Sequence, residues 1–241
     1  MDGNKQQAPA FAKASAFAEA TADRSAGKPS GYNAPHAADR WCGAPMTIVL
    51  GHGAGAGRNH PWMHRVVRAF DQAGIHVVTF NFPYMEAGRK APDKAPVLEA
   101  HFAAVWKEAV AGTEGPYYAG GKSMGGRIAS QVAAQGGFDP PPSGLIFFGY
   151  PLHPPNQPAK RRDAHLPDIT VPMLFLHGTR DPFGTPDEMR ALVAALPLAT
   201  LHVVEGADHS LVVARKDGAD SVERAVQTAA TWTAGHTKTS R

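Results

Sequence analysis

Residues 117–127 read "YYAGGKSMGGR", and two incompatible chemistries fit the run. Gly121-Lys122-Ser123 is the ending of a phosphate-cradling loop, while Gly121-x-Ser123-x-Gly125 is the tight turn that presents a nucleophilic serine. The phosphate loop needs a glycine five residues before Gly121. That position is Pro116, which has no N–H and a fixed φ. The serine turn instead needs an apolar strand before Ser123 and an amphipathic helix after it. "PYYAG" (116–120) supplies the strand; Met124, Ile128, Val132 and Ala133 stripe the helix, and Gly136-Gly137 ends it.

The same alternation extends outward from this turn. "MTIVL" (46–50), "IHVVTF" (75–80), "GLIFFG" (144–149), "PMLFLHG" (172–178) and "TLHVV" (200–204) are short runs, apolar on both faces, as strands buried from two sides require. Between them lie helical stripes. One opens at His60-Pro61 with Trp62, Met63, Val66, Val67 and Phe70; another carries Leu98, Phe102, Val105, Trp106 and Ala109. Thr185-Pro186-Asp187-Glu188 is a capping box ahead of a third, and Val222, Ala225, Val226, Ala229 and Trp232 mark the last. The expected fold is α/β: a mostly parallel central sheet of about six strands, covered by helices on both faces.

Composition narrows the function classes. The chain has 241 residues, 43% hydrophobic and 19% charged, with a formal charge of +3. Its one dense basic cluster, Lys160-Arg161-Arg162, reads as a solvated loop, so no nucleic-acid partner is expected. One cysteine, Cys42, excludes an internal disulfide framework and a cysteine zinc site, and suits a reducing compartment. No apolar run reaches the length of a membrane span. A cytoplasmic protein is the expectation.

A serine hydroxyl attacks only when a base removes its proton and an acid fixes the tautomer of that base. On this fold the acid and the histidine follow the serine in chain order, each after a strand. Asp181 follows "MLFLHGTR" and His209 follows "TLHVVEGAD". Asp208 is excluded as the orienting acid because it is the neighbour of His209, Asp187 suits a first helical turn, and His177 is expected to bond locally. The glycine-rich "HGAGAG" (52–57) also fits G-x-G-x-x-A from Gly51, a dinucleotide fingerprint. The acid such a fold needs at the second strand end is replaced by Asn81. The segment serves better as a source of bare N–H groups: one near Gly53 or Ala54, with that of Met124, is the expected oxyanion hole. His60 and His64 are read as a helix cap and a helix-face residue, not as metal ligands. No metal or cofactor is expected.

Together "GHGAGAG", "NFPYM" (81–85), "GGKSMGGR", "FGYPLHPP" (148–155), "LHGTRDPFG" (176–184) and "GADHS" (206–210) resemble the α/β-hydrolase superfamily. The resemblance is to the dienelactone-hydrolase-related hydrolases grouped with the testis-expressed type. It implies the α/β-hydrolase fold with Ser123, Asp181 and His209 as catalytic triad, and a carboxylesterase-like serine hydrolase of a small ester-like substrate. Dienelactone hydrolases use cysteine where this chain has Ser123, so their chemistry does not transfer. Arg58, Tyr84 and Tyr150 are the expected substrate contacts. Residues 150–170 are too short and too proline-rich for a large lid domain. Arg58, Lys122 and Arg127 place three cations around the turn, to pair with carboxylates or to steer anionic esters. The alternatives are a hydrolase-fold scaffold without turnover and a dinucleotide binder. The oligomeric state is left open.

Residues 1–44, with the tandem "AFAKAS" (10–15) and "AFAEAT" (16–21), hold too few large apolar groups to offset their ordering entropy. They are expected to be a mobile extension before an α/β-hydrolase domain at 45–236, with a tail at 237–241. A chain beginning at Asp39 should therefore melt within about 10 °C of the full chain, a shift that corresponds to roughly 2–4 kcal/mol at this length. A larger drop in a thermal scan would mean that the extension docks on the core.

Overall fold

The computed structural model describes residues 46–214 and 220–236. The expected N-terminal extension, Cys42 and the tail lie outside these residues. Six strands form one sheet: β1 (Thr47–Gly51), β2 (His76–Phe80), β3 (Tyr117–Lys122), β4 (Gly144–Phe148), β5 (Met173–Gly178) and β6 (Ala199–Val204). Their order is β2-β1-β3-β4-β5-β6, and every neighbouring pair is parallel. The helices are α1 (Pro61–Gln72), α2 (Pro83–Glu86), α3 (Ala95–Val110), α4 (Met124–Ala134), α5 (Pro186–Ala194) and α6 (Ser221–His236).

The two-residue period of a strand divides the apolar runs between two cores. Ile48, Leu50, Ile146, Phe148, Leu174 and Leu176 face Trp62 and Phe70 of α1 and Val222 and Val226 of α6. Val49, Leu145, Phe147, Met173 and Phe175 face Phe102 and Trp106 of α3 and Ile128 and Val132 of α4. Burying each such side chain contributes about 1.5–3 kcal/mol. The expectation of strands buried from both sides holds for β1 and the inner strands but not at the edges. β2 is only partly buried, and no residue of β6 is fully buried. An edge strand has a neighbour on one side only, so its apolar run is half covered.

The helix ends follow the sequence signals. His60 Nδ1 accepts the Trp62 N–H at 3.2 Å, with Pro61 in the first turn of α1. Thr185 caps α5 through a reciprocal box: Glu188 N–H donates to Thr185 Oγ1 at 3.2 Å, and Thr185 N–H donates to Glu188 Oε2 at 2.8 Å. That backbone bond, with the Thr185 hydroxyl, holds the Glu188 carboxyl down at about 2. Between β4 and β5 the described chain contains only a three-residue 3-10 turn, Leu166–Asp168, so this connection holds no lid domain. With all strands parallel, the segments after Gly51, Lys122, Gly178 and Val204 emerge along one edge of the sheet.

Burial favours the neutral form of several histidines inside this frame. His52, His101, His165 and His177 are each pushed below the ordinary imidazole value, in every case chiefly by burial. Unfolding returns them to about 6.5, so below that pH the unfolded chain binds protons that the folded chain does not. Stability therefore falls as pH drops through about 6.5, before carboxylates such as Glu188 begin to be protonated. Thermal melts should give a constant midpoint from about pH 8 to 7 and a steady decline from about 6.5 to 5. A flat midpoint across the acidic range would contradict this reading.

Candidate active site

Ser123 follows the last residue of β3 and precedes α4, with φ 50° and ψ −114°. That positive φ is costly for a residue with a side chain, about 1–3 kcal/mol. Close contact on both sides holds it in place. A Cβ on Gly121 would lie 2.2 Å from the Gly51 carbonyl oxygen, and one on Gly125 would lie 2.1 Å from the same atom. Only glycines allow the turn to sit this close to the end of β1. Ser123 N–H donates to Phe148 O at 3.0 Å, which fixes the turn to β4 as well.

The three residues that the sequence singled out converge. The Ser123 hydroxyl lies 2.8 Å from His209 Nε2, and His209 Nδ1 lies 2.7 Å from Asp181 Oδ2. A carboxylate can only accept, so Nδ1 carries the proton and Nε2 is left to accept from the serine. Asp181 is fully buried at its side chain, and its second oxygen accepts the Phe183 N–H at 2.9 Å. Asp208 is occupied elsewhere: its Oδ1 accepts the N–H groups of Ser210 and Val212 and closes the loop that carries His209. His177 bonds locally, as expected, with Nε2 donating to Gly184 O at 2.8 Å. Its Nδ1 is then bare, 3.6 Å from Asp181 Oδ2, and has no hydrogen-bond partner among the described residues.

Several residues in the support of His209 carry no signal in the sequence. The ring of Phe183 stacks on the imidazole, with centroids 4.2 Å apart. Trp62 Nε1–H donates to Ser210 O at 2.7 Å and ties the loop to α1. The chain must also pass from β6 over β5 and β4 to reach β3. A Cβ on Gly178 would lie 2.4 Å from Ala207 O, and one on Gly149 would lie 2.5 Å from His209 O. Both crossings demand a bare backbone.

A cleft of about 380 Å³ opens at Ser123 and His209, walled by Gly53–Ala56, Trp62, Lys122 and Phe183. The loop after β1 is held by His52, whose Nδ1–H donates to Gly53 O at 2.8 Å and whose Nε2 accepts the Phe82 N–H at 3.1 Å. A Cβ on Gly53 would lie 3.8 Å from Ser123 Cβ, so this loop borders the serine directly. Residues 57–60 separate it from α1, so the helix does not start within the glycine run as a dinucleotide fingerprint requires. Met124 is the first residue of α4, where its N–H has no intrahelical acceptor.

None of the three expected substrate contacts lines this cleft. Tyr84 is fully buried, and its hydroxyl donates to Ala54 O at 2.8 Å, so it shapes the loop from behind; burial raises its pKa to about 12. Tyr150 is buried against Phe147 and Phe175, and its hydroxyl donates to Arg162 O at 2.7 Å. The Arg58 backbone N–H donates to Asn81 Oδ1 at 2.7 Å, and the residue lines a separate cleft with His64, Arg68 and Asp71. Arg127 points to Gln131, with Arg162 nearby. Lys122 is the one cation of the expected three that reaches the cleft.

Comparison with known proteins agrees with this architecture. Dienelactone hydrolase from Anabaena variabilis superposes with a TM-score of 0.64 at 17% identity, covering 80% of this chain and 88% of that one. Est1E from Butyrivibrio proteoclasticus, in a structure with ferulic acid bound, gives 0.61 at 14% identity over 80% and 90%. An α/β serine hydrolase homologue from Coxiella burnetii gives 0.60 at 21% identity over 78% and 87%. At these identities the likeness is one of fold. The sequence model of the α/β-hydrolase domain family matches residues 44–238, and the chain belongs to that family.

Proposed function

We propose that this hydrolase-fold protein is a serine hydrolase of small ester-like substrates, working through Ser123, His209 and Asp181. The observation that carries this reading is the unbroken chain of hydrogen bonds from Ser123 Oγ through both imidazole nitrogens to a buried carboxylate, at 2.8 and 2.7 Å. The esterases among its structural relatives support the reading.

As Ser123 Oγ attacks the carbonyl carbon, its proton passes to His209 Nε2 and the carbonyl oxygen becomes an oxyanion. The imidazolium so formed is stabilised by Asp181, whose buried charge faces Nδ1–H. The oxyanion accepts from the Met124 N–H and from one N–H of the Gly53–Ala54 segment. Each such donor is worth roughly 2.7–4 kcal/mol to the transition state. Collapse of the tetrahedral intermediate expels the alcohol, which takes the proton from Nε2, and leaves an acyl ester on Ser123. Water then repeats the sequence: His209 takes its proton, the acid departs, and Ser123 regains its hydrogen.

A fluorophosphonate probe should label the wild type on Ser123, and Ser123→Ala should stay folded without labelling. Asp181→Asn should stay folded and lose about 10⁴ in kcat, because an amide favours the wrong histidine tautomer. A label mapped by mass spectrometry to Ser130 or Ser210, or a loss under tenfold in Asp181→Asn, would move the assignment elsewhere.

Gly149→Ala tests the crossing that delivers His209. The positive φ costs about 1–2 kcal/mol with a side chain. The new methyl also pushes on the His209 backbone, and a displacement near 1 Å costs about 10²-fold in turnover. Activity should therefore fall far more than the loss in melting temperature implies. Full activity in a folded Gly149→Ala protein would count against this placement of His209.

A further inference from the structure

The wall of the cleft contains a charge that the acyl-transfer steps do not use. Lys122 immediately precedes Ser123, is half-buried, and runs along Gly53, where a Cβ would lie 3.8 Å from its Cδ. Its ammonium sits 5.4 Å from the centroid of the Trp62 ring. An aromatic face attracts a cation through its quadrupole but supplies no neutralising charge. Lys122 takes part in none of the ion pairs among the described residues.

The two carboxylates that act on it from a distance hold other partners. Burial lowers the Lys122 pKa, opposed in part by Asp181 and Asp208 at a distance. Asp181 is committed to His209 and the Phe183 N–H, and Asp208 to Ser210 and Val212. Among the described residues no Asp or Glu side chain lines the cleft, and Lys122 is the one Lys or Arg that does. A half-buried ammonium that makes no ion pair, on the wall of a cleft, is a ready partner for a bound anion.

We propose that Lys122 is the recognition site for a carboxylate on the substrate, so that this protein acts on short esters that carry a carboxylate near the scissile bond. The inference rests on the serine-hydrolase reading above. The cleft of about 380 Å³ and the lack of a lid domain between β4 and β5 set the size, and Lys122 sets the charge. The carboxylate belongs to either the acyl or the alcohol half, since Lys122 adjoins the nucleophile itself.

Matched pairs of esters separate these halves. Monophenyl succinate against phenyl succinamate places the charge on the acyl side; 4-acetoxybenzoate against 4-acetoxybenzamide places it on the alcohol side. In wild type, kcat/KM for the anionic member of at least one pair should exceed that of its neutral partner by about tenfold or more, as a charge-assisted contact provides. Lys122→Met should bring that ratio close to one, and Lys122→Arg should keep most of it. A ratio near one for both pairs in wild type, or a ratio unchanged in folded Lys122→Met, overturns the proposal while ester turnover leaves the serine-hydrolase reading standing. No turnover of any ester, with no fluorophosphonate labelling of Ser123, overturns both. Succinate should also protect wild-type Ser123 from a neutral fluorophosphonate where succinamide does not. This reads the same contact without turnover or a variant, and equal protection by the two overturns the proposal.

Discussion

The site depends on bringing a histidine from the edge of the sheet to a serine near its middle. His209 follows β6 and Ser123 follows β3, and β5 and β4 lie between. At a strand spacing of ~4.8 Å, the gap is on the order of 14 Å. The chain closes it by crossing the ends of both intervening strands, over Gly178 and then Gly149, where a single added carbon would meet backbone oxygen at 2.4 and 2.5 Å. The acid lies under that path: Asp181, after β5, meets His209 Nδ1 at 2.7 Å. The crossing thus sets His209 between Ser123 and Asp181, and two glycines make the path passable.

The Ser123 side obeys the same logic of close approach. Gly121 and Gly125 bring the turn against the Gly51 carbonyl, which leaves Ser123 at φ 50° with its hydroxyl raised toward the imidazole. The loop that continues from Gly51 is fixed by a histidine in one tautomer, with His52 donating to Gly53 O and accepting from Phe82 N–H. Tyr84 secures the next residue through Ala54 O. Each positioning group is buried and spends its polar atoms locally, and the exposed face of the loop is bare backbone. Among the described residues that line the cleft, Lys122 is the one Lys, Arg, Asp or Glu, and the proposal that it selects substrates rests on this.

Much of this was legible in the sequence because strand periodicity and turn chemistry are local. The six apolar runs, the helix starts at Pro61 and Thr185, and the glycines around Ser123 needed no partner to be recognised. Asp181 and His209 stood out because each follows a strand, and parallel strands bring such positions to one edge. Tyr84, Tyr150 and Arg58 sit in equally suggestive segments, yet their side chains face the core or another cleft. Where a loop residue sits depends on contacts such as Tyr84 to Ala54 and Asn81 to Arg58, and these join positions 30 and 23 residues apart. Phe183, Trp62 and Gly149 were hidden for the same reason. Their roles exist only once the loop carrying His209 lies across β4, and no local pattern encodes that crossing.

The most direct measurement of the central claim is the fate of the acyl group in a single turnover. A covalent intermediate predicts that phenol or nitrophenol appears in a burst of one equivalent per protein when an activated acetate ester is mixed in excess. Quenching during the steady state and digesting the protein should then place one acetyl group on the peptide holding Ser123, and Ser123→Ala should show neither burst nor acetyl mark. Steady turnover without a burst that survives in Ser123→Ala, or an acetyl group on another residue, would contradict it.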